Sequence, residues 1–299
     1  MKRIILSAFL SLVAIAQLSA QKEYTTTYQI EYEVTYSLDS LNRDLTDTDK
    51  LYLYTGSNYG VFINYNVIQR EKVVEKMKRK YGNDVSMGIE YSSSSNNPSF
   101  RKTFYKDLQS GEVMTLGKLA KKDYIFKEPK TLSDWQVQDS TKTIKGYTAQ
   151  KASTHFAGRD YVAWFTLEVP IQDGPYLFSG LPGLIIELYD IKKDYHFKLK
   201  SLEKLEKPKI WTIPEGAKTV TKAEFKKLSE QLSKNAVLSS DVHYMMSNTP
   251  GIEGSVSTNQ NGEVTNSDLK INGRKVSKDE LRRAYKKNLE SQNNLIELK

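Results

Sequence analysis

Three histidines, His155, His196 and His243, are the chain's whole supply of imidazole, and none is spaced from another as metal ligands are. Asp241-Val242-His243 sets an acid two residues from an imidazole, the minimal arrangement for orienting a general base, although a surface loop explains the pair more simply. Asp44, Asp47 and Asp49 space like part of a calcium loop but lack its central glycine and closing glutamate. Cysteine is absent, which excludes disulfides, thiol nucleophiles and thiolate metal sites. No Gly-x-x-x-x-Gly-Lys-Ser/Thr, Gly-x-Gly-x-x-Gly, Gly-x-Ser-x-Gly or His-Glu-x-x-His element occurs. No cofactor or metal is therefore implied, and no particular pair among the 36 acidic residues stands out as a hydrolytic dyad. The glycine cluster Gly174–Gly183 has two prolines that remove N–H donors and no phosphate-binding Lys, Ser or Thr behind it. It reads as a rigid crossover delivering Leu184 into a buried strand, with Leu181 and Pro182 as a contact surface in the second reading.

The elements that must position these residues are mostly strands. Tyr28, Ile30, Tyr32, Val34, Tyr36 and Leu38 alternate with polar residues, the period of a half-buried antiparallel strand. Asp39 to Lys50 reads as a loop, Leu51–Tyr54 as a strand, Gly56–Asn58 as a turn and Tyr59–Val67 as a second alternating strand. Val73, Met77 and Tyr81 recur four apart among lysines and arginines, which predicts a basic surface helix over 68–81 ended by Gly82-Asn83. Ser92–Pro98 is a loop, and 100–127 holds two or three strands joined at Gly111 and near Lys121–Asp123. Ile144–Ser153 and Tyr161–Leu167 form a hairpin turning at Gly158, and Leu184–Ile191 forms another with Tyr195–Leu199. Thr221 with Glu224, and Ser277 with Glu280, are capping pairs that open helices. The Ser/Asn/Gly-rich stretch 247–273 reads as a flexible excursion or loose hairpin. The fold class is mainly β (α+β): a large curved antiparallel or partly closed sheet with peripheral helices. Most of the 19 tyrosines fall in the apolar register of its strands.

Lys2 and Arg3, the apolar run Ile4–Ala16 and the small residues Ser19-Ala20 have the order of a cleavable export signal over residues 1–20. A single β-rich domain over 21–299, ending in a helix, is expected behind it. Since Lys2 and Arg3 leave with the signal, the formal charge falls from +8 to +6. No later apolar stretch approaches the roughly 20 residues of a transmembrane helix. Export and the use of tyrosine in strand faces argue against nucleic acid as a partner. The expected address is the periplasm or the cell surface.

Within Trp135–Asp190, the segments Lys145–Ala152, Phe156–Thr166, Gly174-Pro175 and Gly180-Leu181-Pro182-Gly183-Leu184-Ile185 resemble the GLPGLI family, exported proteins of Bacteroidetes. The resemblance implies export and a β-rich body; it implies no reaction. Many members carry a cysteine where this chain has Ala149, so thiol chemistry at that position is excluded here. Arg159 and Trp164, on one strand of the resembling segment, are candidate binding residues for an anionic or polymeric envelope ligand, along with Leu181 and Pro182. A core position for Trp164 and a local carboxylate partner for Arg159 is the competing reading. The function expected is non-enzymatic binding or assembly of an envelope protein, lipid or peptide. A carboxylate-dependent hydrolase and a structural surface component are the alternatives.

Overall fold

The computed structural model describes residues 21–82, 98–119, 122–128, 134–235, 252–258, 264–277, 279–280, 283 and 296–297. The expected export signal, the Asp241–His243 pair, most of the Ser92–Pro98 tract and the apolar stripe of the terminal helix lie outside them. Two antiparallel meanders make the body. The first is β1 (Glu23–Tyr36), β2 (Asp47–Thr55), β3 (Tyr59–Asn64), β4 (Thr103–Asp107), β5 (Val113–Leu119) and β6 (Lys122–Glu128). The second is β7 (Gln136–Ile144), β8 (Tyr147–Phe156), β9 (Arg159–Thr166), β10 (Leu184–Asp190) and β11 (Tyr195–Thr212). β11 returns to pair with β1 from Tyr36–Tyr195 to Glu23–Thr212, and β12 (Lys218–Thr219) adds to β6 in parallel. The result is one 12-stranded sheet whose ends, β12 and β7, do not pair with each other, so the ladder stays open. With α1 (Tyr65–Tyr81) and α2 (Lys222–Asn235) at its periphery, the protein is mainly β, as the alternating patterns predict. Among the described residues no helix is long and apolar enough to cross a membrane.

Boundaries shift where one residue changes the local choice. The strand expected to run to Val67 stops at Asn64, whose side chain accepts from the Asn66 N–H at 2.9 Å and caps α1. Val67 and Ile68 then turn onto the outer face of the sheet beside Val61, Ile63 and Trp211. Asp47–Lys50 belongs to β2, and Asp49, 9% exposed, accepts from the Tyr36 hydroxyl at 2.8 Å, so the acidic run is no calcium loop. β11 is longer than expected, interrupted by bulges opposite Thr26–Tyr28 and Glu31–Tyr32; Pro208, which cannot donate to a ladder, falls within the first. The stretch expected to be loose carries β13 (Ile252–Glu253), β14 (Val256–Thr258), β15 (Val264–Ser267) and β16 (Lys270–Ile271), followed by β17 (Arg274–Lys275). β13, β16 and β17 form a three-stranded sheet, while β14 pairs with β15.

The connection from β9 to β10 is not a tight turn. Residues 167–183 lie across the inner face of the sheet, and Val169, Ile171, Tyr176, Leu177, Phe178 and Leu181 are buried there with the inward side chains of β1, β2 and β9–β11. On a flat sheet β9 and β4 would be six strand spacings apart, about 29 Å at roughly 4.8 Å each. Asp173 of the connection nevertheless bonds Lys106 of β4, and Tyr176 meets Phe104 edge-on at 4.9 Å. Sheet and connection thus share one core. Asp173 is wholly buried, accepts from Thr55 Oγ1 and the Gly174 N–H, each at 2.8 Å, and pairs with the Lys106 ammonium. Lys106 is 1% exposed and also donates to the Gly174 carbonyl at 2.7 Å. A β-carbon at Gly60 would sit 2.1 Å from the Asp173 carboxylate, so only glycine leaves room for the pair.

The crossover reading of Gly174–Gly183 matches the structure at its far end. A β-carbon on Gly183 would lie 2.0 Å from the Thr166 carbonyl oxygen, and Leu184, Ile185 and Ile186 follow directly into the core. Gly183→Ala is expected to cost at least about 2 kcal/mol in urea denaturation, because backbone must move. Gly146→Ala, at a turn with open space around it, should cost about 1 kcal/mol from its positive φ alone. Lys106→Met leaves the Asp173 charge buried without its cation and is expected to lower stability by about 3–5 kcal/mol in the same assay.

Candidate functional site, a loop surface set on a buried arginine

β8 and β9 meet in a two-residue turn at Ala157-Gly158, both with positive φ, which places Arg159 as the first residue of β9. Arg159 is 4% exposed. Its Nη1 donates to Asp194 at 3.0 Å and lies 3.3 Å from Asp190, while the guanidinium stacks over the Tyr195 ring at 5.1 Å. Asp194 is shared, with Arg43 Nε 2.8 Å from its other oxygen. Asp190 also accepts from the Tyr195 N–H at 2.7 Å, and burial pushes its carboxyl above the ordinary value despite that bond and Arg159. Arg159, Asp190 and Asp194 are buried with opposite charges facing, as buried ionic groups require, while Arg43, its side chain 46% exposed, adds a second cation from the rim.

This cluster fixes three connections at one end of the sheet. Arg159 follows the β8–β9 turn, Asp190 and Asp194 bracket the β10–β11 turn, and Arg43 comes from the β1–β2 loop. The Ser37 N–H to Asp194 carbonyl bond, 2.9 Å, ties the last two together. Within the β1–β2 loop, Asp39 caps its own turn: its carboxylate accepts from Leu41 N–H at 3.0 Å and its carbonyl from Asn42 N–H at 3.1 Å. The loops so held present apolar side chains to solvent: Leu41 is 90% exposed, Leu45 67% and Ile191 60%.

Trp164 lies elsewhere. It is five residues along β9 from Arg159, about 16 Å away at roughly 3.3 Å per residue, so the two do not build one site. On the outer face Lys142 of β7 covers its ring at 4.3 Å, and Lys142 also bonds Glu187 of β10, which His196 of β11 reaches at 2.7 Å. The indole N–H has no acceptor among the described residues. The hydrogen bond from His196, with help from Lys142, lowers the Glu187 carboxyl to about 2. Leu181 is 1% exposed and belongs to the core, whereas its neighbour Pro182 is exposed. His155 pairs with Asp160 at 2.7 Å on the open surface beside the β8–β9 turn. Of the four expected binding residues, then, Arg159 pairs with buried carboxylates and Trp164, 9% exposed, packs with the main core beneath Lys142, which is the competing reading of both; Leu181 is in the core and Pro182 is exposed at the crossover.

No three His, Asp or Glu side chains gather as a metal site among the described residues. Glu128 and Glu297 both bond the same Lys222 ammonium, at 2.7 and 2.8 Å, so a cation stands between the two carboxylates. Sequence reasoning could not find Arg43, Leu41, Leu45 or Ile191: isolated apolar residues in polar connections carry no period, and Arg43 passes over the acids beside it for Asp194 on a distant connection.

Comparison with known proteins assigns no activity. Residues 157–187, which include Arg159, Trp164 and the Gly180–Ile185 run, match a family model described as a protein of unknown function (Porph_ging). No curated protein matches in sequence. Two solved structures of PNGF-II, in different space groups, are similar with a TM-score of 0.48 at 12% and 13% identity, over 69% of this chain and 33% of theirs. The chain therefore spans about a third of the length of those structures. An uncharacterised conserved protein from Thermus thermophilus is similar over 68% of this chain and 93% of its own, with a TM-score of 0.30 and 9% identity.

The Glu187 interactions make an acid-limb prediction. Because its folded pKa of about 2 lies below the ordinary 4.5, the stabilisation is fully present above pH 4.5 and is lost as pH falls toward 2. Glu187→Gln should remove about 1–2 kcal/mol at pH 7, after allowance for solvent screening, and flatten stability between pH 4.5 and 2, read by denaturant titrations across that range.

Proposed function

We propose that this protein is an exported, non-enzymatic component of the cell envelope that binds a partner protein through the Leu41, Leu45 and Ile191 surface. The carrying observation is that three large apolar side chains stand at least 60% exposed on connections joined by the buried Arg159, Asp190 and Asp194 and by the half-exposed Arg43. A floppy loop would lose conformational freedom on binding; a loop already fixed by Asp39, Arg43 and Asp194 has less to lose. Burying each such side chain in a complex contributes about 1.5–3 kcal/mol, enough in total to hold a specific contact. The order of charged, apolar and small residues over 1–20 and the resemblance of Gly180–Ile185 to exported GLPGLI proteins support the envelope address.

Replacing Leu41, Leu45 and Ile191 together by serine should leave the unfolding transition nearly unchanged, since none is in the core. The same variant is expected to lose its partner from cross-linked envelope fractions, while wild type retains it. Retention of that partner by the triple variant would overturn the assignment, as would turnover of an envelope substrate that a buried-carboxylate substitution abolishes.

A further inference from the structure

The second half of α1 stands apart in charge. Residues 70–80 carry six cations and two acids, a net +4, which is half of the whole chain's +8. In its first turn the helix lays Ile68, 3% exposed, and the Tyr65 ring against the sheet, the ring meeting Tyr52 at 5.7 Å. At about 100° per residue, Lys72, Glu75, Lys76, Arg79 and Lys80 continue that same side within an arc of about 140°. All five are exposed, and among the described residues they line an open hollow of about 480 Å³.

A side that is apolar where it meets the sheet and cationic beyond it cannot go on packing in the same way, because a buried charge needs an opposite one. Arg79 bonds Glu75 one turn back, whereas Lys72 and Lys76 have no carboxylate partner among the described residues. The helix dipole favours cations in the last turn, which accounts for Lys78, Arg79 and Lys80 but not for Lys72 or Lys76. Nearby, Lys209 covers the Trp211 ring at 3.7 Å and the Tyr54 ring at 4.4 Å. Burial lowers its pKa, and Lys72 lowers it further against the pull of Glu71, so cations crowd this ground. Half-buried Val73 and Met77 border the arc beyond Lys80, and a basic face with an apolar margin is what a helix lying among lipid headgroups presents.

We propose that Lys72, Lys76, Arg79 and Lys80 on α1 form a docking site for the phosphate headgroups of an anionic lipid surface. The attachment is electrostatic and reversible: no helix among the described residues is long and apolar enough to cross a membrane, and Val73 and Met77 make only a narrow margin. The lysines meet phosphates as point charges, and Arg79 can exchange its Glu75 bond for a forked one to phosphate. Lys209, beside this face, pairs with Thr26, toward the opposite end of β1 from Tyr36 and the loops that carry Leu41 and Leu45. Attachment through α1 therefore leaves those loops free for a partner, and neither assignment needs the other.

The test is co-sedimentation of the purified protein with vesicles of phosphatidylcholine and phosphatidylglycerol, roughly three to one, against vesicles of phosphatidylcholine alone. Binding to the mixed vesicles is expected to be about tenfold stronger or more at about 0.02 M salt, and to be lost at about 0.5 M. Lys72→Gln with Lys76→Gln should weaken it by about tenfold or more while the unfolding transition stays where it was. Lys226→Gln with Lys227→Gln, an equal loss of charge from exposed positions on α2, should change it by less than about twofold. The Leu41, Leu45 and Ile191 serine changes should leave vesicle binding unchanged, which separates this result from the fate of the loop surface. No preference for the anionic vesicles overturns the proposal, as does an equal effect of the α1 and α2 changes. Pyrophosphate or polyglutamate bound at the α1 site by protein that ignores the vesicles gives the site to a soluble phosphate compound or an acidic protein, and overturns the lipid assignment.

Discussion

A lysine and an aspartate with no access to water, Lys106 and Asp173, tie the two halves of this sheet together. The pair joins the β9–β10 connection, which belongs to the second meander, to β4 of the first. Other groups are arranged around it: Thr55 and the Gly174 N–H complete the carboxylate's bonds, and Gly60 clears the space it fills. Beside them Tyr32 donates to the Ile185 carbonyl at 2.5 Å. An isolated charge in such a core would be far too costly, so the connection can settle only where Asp173 meets Lys106. That requirement specifies a position, whereas the apolar contacts of Phe178 and Leu181 would tolerate sliding. A sheet without disulfides has thereby acquired a fixed cross-tie between sequence-distant parts.

Much of this architecture can be read in the chain because strands declare themselves by period two. The inward set Tyr195, Phe197 and Leu199 and the outward set His196, Lys198 and Lys200 fall as the alternation predicts. The Thr221–Glu224 and Ser277–Glu280 capping pairs are both formed. β7 is not legible because an edge strand reading Gln-Val-Gln-Asp-Ser-Thr-Lys-Thr-Ile, exposed along nearly its whole length, has no buried face to impose a pattern. The junction of β3 and α1 is obscured for the opposite reason: Tyr65 and Val67 continue the alternation although Asn64 has already begun a helix.

The candidate loop surface and the charge clusters are less legible than the fold, since each depends on partners far apart in sequence. Arg159 is visible as an unusual residue at a turn, but Asp190, Asp194 and Arg43 become its neighbours only when three connections meet at one end of the sheet. Glu297 is one acid among many until Tyr176 and Lys222 close on it. Both clusters use charge in the same manner. They hold in place segments that the ladder does not hold, leaving the strands as frame and the connections as the parts that vary in role.

The pairing of β1 with β11 has a consequence for how the molecule comes into being. Tyr36 meets Tyr195 and Glu23 meets Thr212, so the first strand waits for about 160 to 190 residues before its second neighbour exists. Until then β1 offers an unpaired edge with alternating tyrosine, isoleucine and valine, the kind of surface that recruits strands from other chains. High contact order of this kind slows folding and lengthens that exposure. Newly made chains are most vulnerable to misassembly at their first strand, and the arrival of their eleventh ends the danger.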